Sequence, residues 1–125
     1  MIKSHTDIEQ SKKLAEFLTL ESADMCWSKY DDGQMRIMPM ELWDLIKDGL
    51  SCLEFTPAWS LAALFKALPL EAEIHKQTNG HKIYYYVESY MKRIENETYL
   101  STERYENSVD ACVAMIIKLH KLNLL

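Results

Sequence analysis

The stretch Glu73-Ile74-His75-Lys76-Gln77-Thr78-Asn79-Gly80-His81-Lys82-Ile83-Tyr84-Tyr85-Tyr86-Val87 decides the fold class. Two runs rich in β-formers flank Asn79-Gly80. Asn-Gly between such runs is a strong hairpin signal, because both residues tolerate the positive φ of a two-residue turn. Two antiparallel strands follow. Counting back from that turn pairs Thr78 with His81 and His75 with Tyr84. Period-two alternation then sets His75, Lys82, Tyr84, Tyr86 and Tyr90 on one face. Ile74, His81, Ile83, Tyr85 and Val87 take the other, more aliphatic face, which should meet helices.

Downstream, Glu95-Asn96-Glu97 suits a turn, and Tyr99-Leu100-Ser101-Thr102 is β-prone, so a third strand is expected near 98–103. Asn107 is placed to cap a final helix running to about 122. Asp110 lies near the positive end of that helix, and Lys118, His120 and Lys121 near its negative end. Upstream, Thr56-Pro57 has the form of a helix start, with threonine as N-cap and proline at the first helical position, where a missing N–H costs nothing. The spacing predicts a helix over 57–68, ending before Pro69.

Nearer the N-terminus, Thr6-Asp7-Ile8-Glu9 has the T-x-x-E form of a capping box, and Leu14, Phe17 and Leu18 recur at helical spacing, which predicts a helix over 7–18. Asp31-Asp32-Gly33, flanked by Met25-Cys26-Trp27 and Gln34 to Met38, suits a short hairpin over 24–38. Residues 41–48 read as a short helix with Gly49 as a left-handed cap. The expected fold is α+β: one domain, 1–125, with an antiparallel three-stranded meander packed against helices. In this reading an αβββα core over 57–122 follows an N-terminal helical extension that carries the short hairpin.

With 48% hydrophobic residues and 26% charged, the chain has the composition of a packed globule. Its formal charge of -5 disfavours polyanionic partners. Residues 1–7 lack the apolar run of a signal peptide and no stretch reaches a membrane span, so a cytoplasmic protein without membrane contact is expected. Cys26, Cys52 and Cys112 are widely spaced and odd in number, which fits buried reduced thiols.

Neither a catalytic nor a metal constellation stands out. Ser60 lacks the glycines of a nucleophile elbow, there is no phosphate-binding glycine loop, and alternation separates His75 from His81 across the sheet. No cofactor is implied. His5 is isolated, and the helix dipole accounts for His120. An enzyme would need a site assembled from distant residues, with Cys26, His75 or His120 as its candidates.

Two segments carry more apolar surface than a surface helix needs: Ala58 to Phe65 and Val109 to Ile117 are apolar around almost the whole circumference. Enclosure by a partner protein or by a second copy of the chain would cover them. The tyrosine-rich face is the leading binding candidate. Its tyrosines could pack as an ordinary aromatic ladder, meet a partner's aromatic groups, or stack nucleic-acid bases.

The blocks Glu9 to Ala15, Leu20 to Met25, Pro57 to Leu64 and Glu106 to Leu119 resemble a set of small uncharacterised proteins encoded in Bacteroides-type genomes and their phages or mobile elements. That resemblance implies an intracellular protein of mobile-element origin with no activity attached; surplus apolar surface without a reactive site adds the expectation of a small accessory or regulatory protein that binds a macromolecular partner. Residues 57–122 are also similar, in helix, three strands, helix order, to the double-stranded RNA-binding domain, whose inter-strand loop Asn79-Gly80-His81 partly echoes. This family meets phosphates through lysines at the start of its last helix, where this chain has Glu106, Asn107, Ser108, Val109 and Asp110.

Overall fold

The computed structural model describes residues 3–49, 52–92 and 97–125, and the side chains of all of these except 52, 53 and 92. It is an α+β protein with four helices and two antiparallel three-stranded sheets. In chain order come α1 (Ile8–Ala15), β1 (Met25–Tyr30), β2 (Met35–Pro39), α2 (Met40–Ile46), β3 (Cys52–Ala58), α3 (Leu61–Ala67), β4 (Ala72–Asn79), β5 (Lys82–Lys92), β6 (Glu97–Ser101) and α4 (Ser108–Lys121). The first sheet has the order β2-β1-β3 and the second β4-β5-β6.

The N-terminal region keeps the two expected helices and the hairpin, but a third strand, β3, turns that hairpin into a sheet of its own. Of that sheet, the sequence exposes the β1–β2 hairpin, in which Trp27 faces Ile37 and Lys29 faces Met35. The third strand is disguised. Thr56-Pro57 does not start a helix: both residues lie in β3, where Thr56 pairs with Trp27 and Pro57 with Cys26. Proline can sit there because β3 is an edge strand, the part of a sheet where a missing backbone donor is tolerated.

Chain clamping beyond β3 delays the helix further. The backbone of Trp59 makes two hydrogen bonds with Thr6, its N–H donating to the side-chain Oγ1 at 3.1 Å and its carbonyl accepting from the backbone N–H at 2.9 Å. Helix α3 then begins one residue after Ser60, whose hydroxyl accepts from Ala63 N–H and whose own backbone N–H donates to Asp24 at 2.8 Å. The Ser60 hydroxyl also pairs with the second oxygen of Asp24.

Thr6 is committed elsewhere too. It does not cap α1, because its buried hydroxyl meets Ser11 Oγ at 2.7 Å. Asp7 is the N-cap and Gln10 completes the capping box, one residue later than the T-x-x-E reading placed it. Helix α1 stops at Ala15, short of the expected 18. Helix α2 ends in a 3-10 turn over Lys47–Gly49, and Gly49 is not among the glycines with positive φ, so the left-handed cap expected there is not formed.

In the second sheet, Gly80 (φ +64) and His81 form the turn, with Asn79 facing Lys82 and His75 facing Tyr86. Glycine in first place is the type II′ pattern; the expected register had Asn79-Gly80 at the centre. Pairing thus moves by two residues along the partner strand, which leaves every side chain on its expected face except His81, now in the exposed turn. Strand β6 pairs with β5 as expected; Glu95 and Asn96 of the turn before it lie outside the described residues.

One main core joins the inner face of the second sheet, through Ala72, Val87 and Met91, to α4, α3, Leu14 of α1 and Trp59. Helix α4 is enclosed, with Val109, Ala111, Cys112, Met115, Ile116 and Leu119 fully buried. Helix α3 is not: Ala63 and Leu64 are buried, but Ala62 is exposed and Phe65 is 50% exposed, so the apolar run from Ala58 splits into a strand end and an ordinary amphipathic helix. A smaller core, Cys26, Tyr30 and Met38 beneath Trp43 and Ile46 of α2, belongs to the first sheet. Met40 packs against both cores.

Candidate binding face

Strand β5 runs down the middle of the second sheet, paired with β4 over residues 82–89 and with β6 over residues 88–92. The outer face carries Glu73, His75, Gln77 and Asn79 from β4; Lys82, Tyr84, Tyr86, Glu88 and Tyr90 from β5; and Glu97, Tyr99 and Ser101 from β6. All five candidate residues, His75, Lys82, Tyr84, Tyr86 and Tyr90, therefore share one surface. Helix α4 occupies the opposite face, where Ile74, Tyr85, Val87 and Leu100 point.

Not all of the tyrosines are equally open. Tyr84 and Tyr86 are half-buried, whereas Tyr90 and Tyr99, directly opposite each other across β5 and β6, are 46% and 58% exposed. Tyr99 was not singled out from sequence. Its strand reads as β-prone but its register was not assigned, and only the pairing with Tyr90 shows that it extends the ladder.

Each exposed tyrosine is held by a carboxylate. Tyr99 Oη donates to Glu88 Oε1 at 2.8 Å, and this bond raises the phenol's pKa above its usual value; a hydrogen bond to Glu97 does the same for Tyr90. Both hydroxyls are thus held by acids while the two residues stay exposed. Toward the turn, the His75 and Tyr86 rings stack at 5.0 Å, and the Arg104 guanidinium lies 4.4 Å from the Tyr86 centroid while its Nε donates to Gln77 Oε1 at 2.9 Å. That is a cation–π contact made by the chain with itself.

Glu73 and Glu88 face each other directly across β4 and β5. His75 Nε2 sits 3.4 Å from one carboxylate and 3.2 Å from the other, yet this buried atom has no aligned hydrogen bond. Stacking on Tyr86 holds the imidazole near both acids without a directed bond to either.

The other sequence candidates are dispersed. His5 meets Trp27 edge-on, His120 stacks on Phe17 at 4.0 Å, and Cys26 and Cys112 are buried in different cores. Burial pushes the Cys112 thiol up to about 12, which makes it a poor nucleophile. Among the described residues no three of His, Cys, Asp and Glu converge as a metal would require, and no helix is long and apolar enough to cross a membrane.

Concave surface lies elsewhere. One hollow of about 260 Å³ between Glu21–Asp24 and α3 uses Asp24, already committed to Ser60; another, of about 320 Å³, lies beside Trp27, Asp7, Ile8 and Glu9. Compared with known proteins, the chain matches no family model, no curated protein and no solved structure.

Proposed function

We propose that this is a small accessory or regulatory protein, of phage or mobile-element type, that acts by binding another protein through the outer face of the β4-β5-β6 sheet. The observation that carries this is the exposed Tyr90–Tyr99 pair, set beside half-buried Tyr84 and Tyr86 on a face that no helix among the described residues covers. Tyrosine suits such a role because it offers a large rigid ring at low entropic cost, with a hydroxyl for the rim.

Docking through the helices loses its support once α3 is an ordinary amphipathic helix and α4 is covered within one chain. With it goes most of the case for self-association. Nucleic-acid stacking on the tyrosines is the weaker alternative, since Glu73 and Glu88 would repel phosphates on the same face. Enzyme function has less support still, because the titratable candidates are scattered.

The test is recovery of partners by tagged protein from the cells that encode it, read by quantitative mass spectrometry. The expected result is a partner set lost from the Tyr90→Ala/Tyr99→Ala variant, which keeps the wild-type melting temperature. Identical sets from both proteins would sink the proposal. A fluorescence titration with RNA and DNA at two ionic strengths covers the alternative: tight, salt-sensitive binding would transfer the face to nucleic acid.

A further inference from the structure

We infer that the partner presents a basic segment, with arginine foremost, to the end of this face formed by Glu73, Glu88, Tyr90 and Tyr99. This rests on the proposal that the face is a docking surface and adds the chemistry of what docks.

Like charges directly opposite on neighbouring strands destabilise a sheet, and Glu73 and Glu88 occupy such positions. Neither has a Lys or Arg partner among the described residues; the only nitrogen between them is the unaligned Nε2 of His75. Glu97, which like Glu88 accepts a hydrogen bond from a tyrosine, differs in having a lysine, Lys92, as its partner in the register. The two facing carboxylates therefore carry a repulsion that no Lys or Arg among the described residues offsets, at the end of the face where Tyr90 and Tyr99 are exposed.

A guanidinium answers both features. Its planar fork matches carboxylate oxygens, and its flat surface stacks on an aromatic ring. The same face already receives one such group, because Arg104 lies over Tyr86. Lys82 lies at the turn end, six residues from Glu88 along β5 and on the order of 20 Å away, with Arg104 between them and already engaged by Tyr86 and Gln77, so the uncommitted negative charge collects at the Glu73–Glu88 end. A basic segment is drawn to the acidic end and a phosphate chain is turned away from it.

The probe is a fluorescein-labelled peptide of alternating Gly and Arg, followed by anisotropy at low and at physiological ionic strength against its Gly–Lys and Gly–Glu counterparts. The Gly–Arg peptide should bind more tightly than the Gly–Lys peptide, and the Gly–Glu peptide should not bind. Glu73→Gln/Glu88→Gln should weaken the Gly–Arg complex about fivefold to tenfold. Glu9→Gln/Glu16→Gln, which removes the same charge from exposed positions on and beside α1, should change it less than about twofold. Tyr90→Leu/Tyr99→Leu should erase the preference for Arg over Lys. Each pair is also made as single substitutions, so that a fold-damaged double variant does not decide the outcome. Equal losses from the two Glu pairs, or no binding of the Gly–Arg peptide, would overturn the inference. If Tyr90→Ala/Tyr99→Ala abolishes recovery of a cellular partner while Glu73→Gln/Glu88→Gln leaves it intact, the docking face stands and the basic partner falls.

Discussion

The two sheets have the same strand count and antiparallel pairing, yet they are stabilised in different ways. The β4-β5-β6 sheet lays one face on α4 and shares the main core with α1, α3 and Trp59. The β2-β1-β3 sheet has a core of its own, with three buried residues among those described, under a two-turn helix. Burial scales with what lies on top, so the second sheet is the platform and the first is held onto it by Trp59, Thr6 and Met40. A sheet with one face firmly anchored can leave the other open for binding, which is what the tyrosine face requires.

The largest expected effect tests that junction. Trp59→Ala removes a fully buried indole and its Nε1 hydrogen bond to Ser22 at 2.9 Å, and should cost about 3–5 kcal/mol in denaturant unfolding. Protection from hydrogen exchange should fall in both sheets; if it fell in one alone, the two would be independent units.

Met38→Ala should cost about 2 kcal/mol, at the low end for a large-to-small core change because its cluster is small. Exchange should quicken in residues 25–46 while β5 amides keep their protection. Uniform quickening would mean that the cores open together.

Asp110 sharpens the contrast at the N-terminus. Burial pushes its pKa up, but hydrogen bonds from Lys3 at 2.8 Å, Gln10 at 2.7 Å and Asn107 at 2.8 Å outweigh that and hold it below the usual 3.8. Its contribution is therefore in place above pH 3.8 and is lost as pH falls through the depressed folded value. Lys3 mirrors it: desolvation lowers its pKa, yet bonds to Asp110 and Asp7 raise it above 10.5 on balance, so its share is lost only as pH rises through that raised value. Asp110→Ala should cost about 1.5 kcal/mol at neutral pH and flatten the acid limb of a stability–pH curve. An unchanged acid limb would show that the Lys3 bridge does not persist in solution.

Ser60→Ala should cost about 1 kcal/mol, the usual loss for an N-cap, whereas Thr56→Val, which removes the hydroxyl a cap would need, should leave the helicity measured by circular dichroism unchanged. The reverse ranking would restore the helix start at Pro57. The smallest expected effect is of opposite sign: Glu73→Gln relieves the repulsion with Glu88 and should raise stability by a few tenths of a kcal/mol. A loss instead would make the pair structural.

Legibility followed the locality of the signal. Gly80, the β-formers around it and the capping Asn107 act over a few residues, so the second sheet and α4 could be read directly. His81 was misplaced because Asn79-Gly80 and Gly80-His81 are both chemically acceptable turn centres, and the cross-strand pairing chose between them. For the candidate face, the alternation of β5 identified Tyr84, Tyr86 and Tyr90, but the partnership of Tyr90 with Tyr99, the Glu73–Glu88 pair and the Arg104 contact depend on register between strands distant in sequence. Strand β3 was hidden because Thr-Pro satisfies the requirements of both a helix start and an edge strand.

By itself, the sequence determined the α+β class, the hairpins at Gly33 and Gly80 and the side of the sheet on which the tyrosines lie, since these depend on turn residues and on a period of two. Only the tertiary structure decided that residues 52–58 become a strand, that the N-terminal segment clamps Trp59, and that Glu73 and Glu88 face each other without a Lys or Arg partner among the described residues. Those outcomes turn on long-range pairing, in which a segment's conformation is set by the free energy of the neighbour it meets as well as by its own preferences.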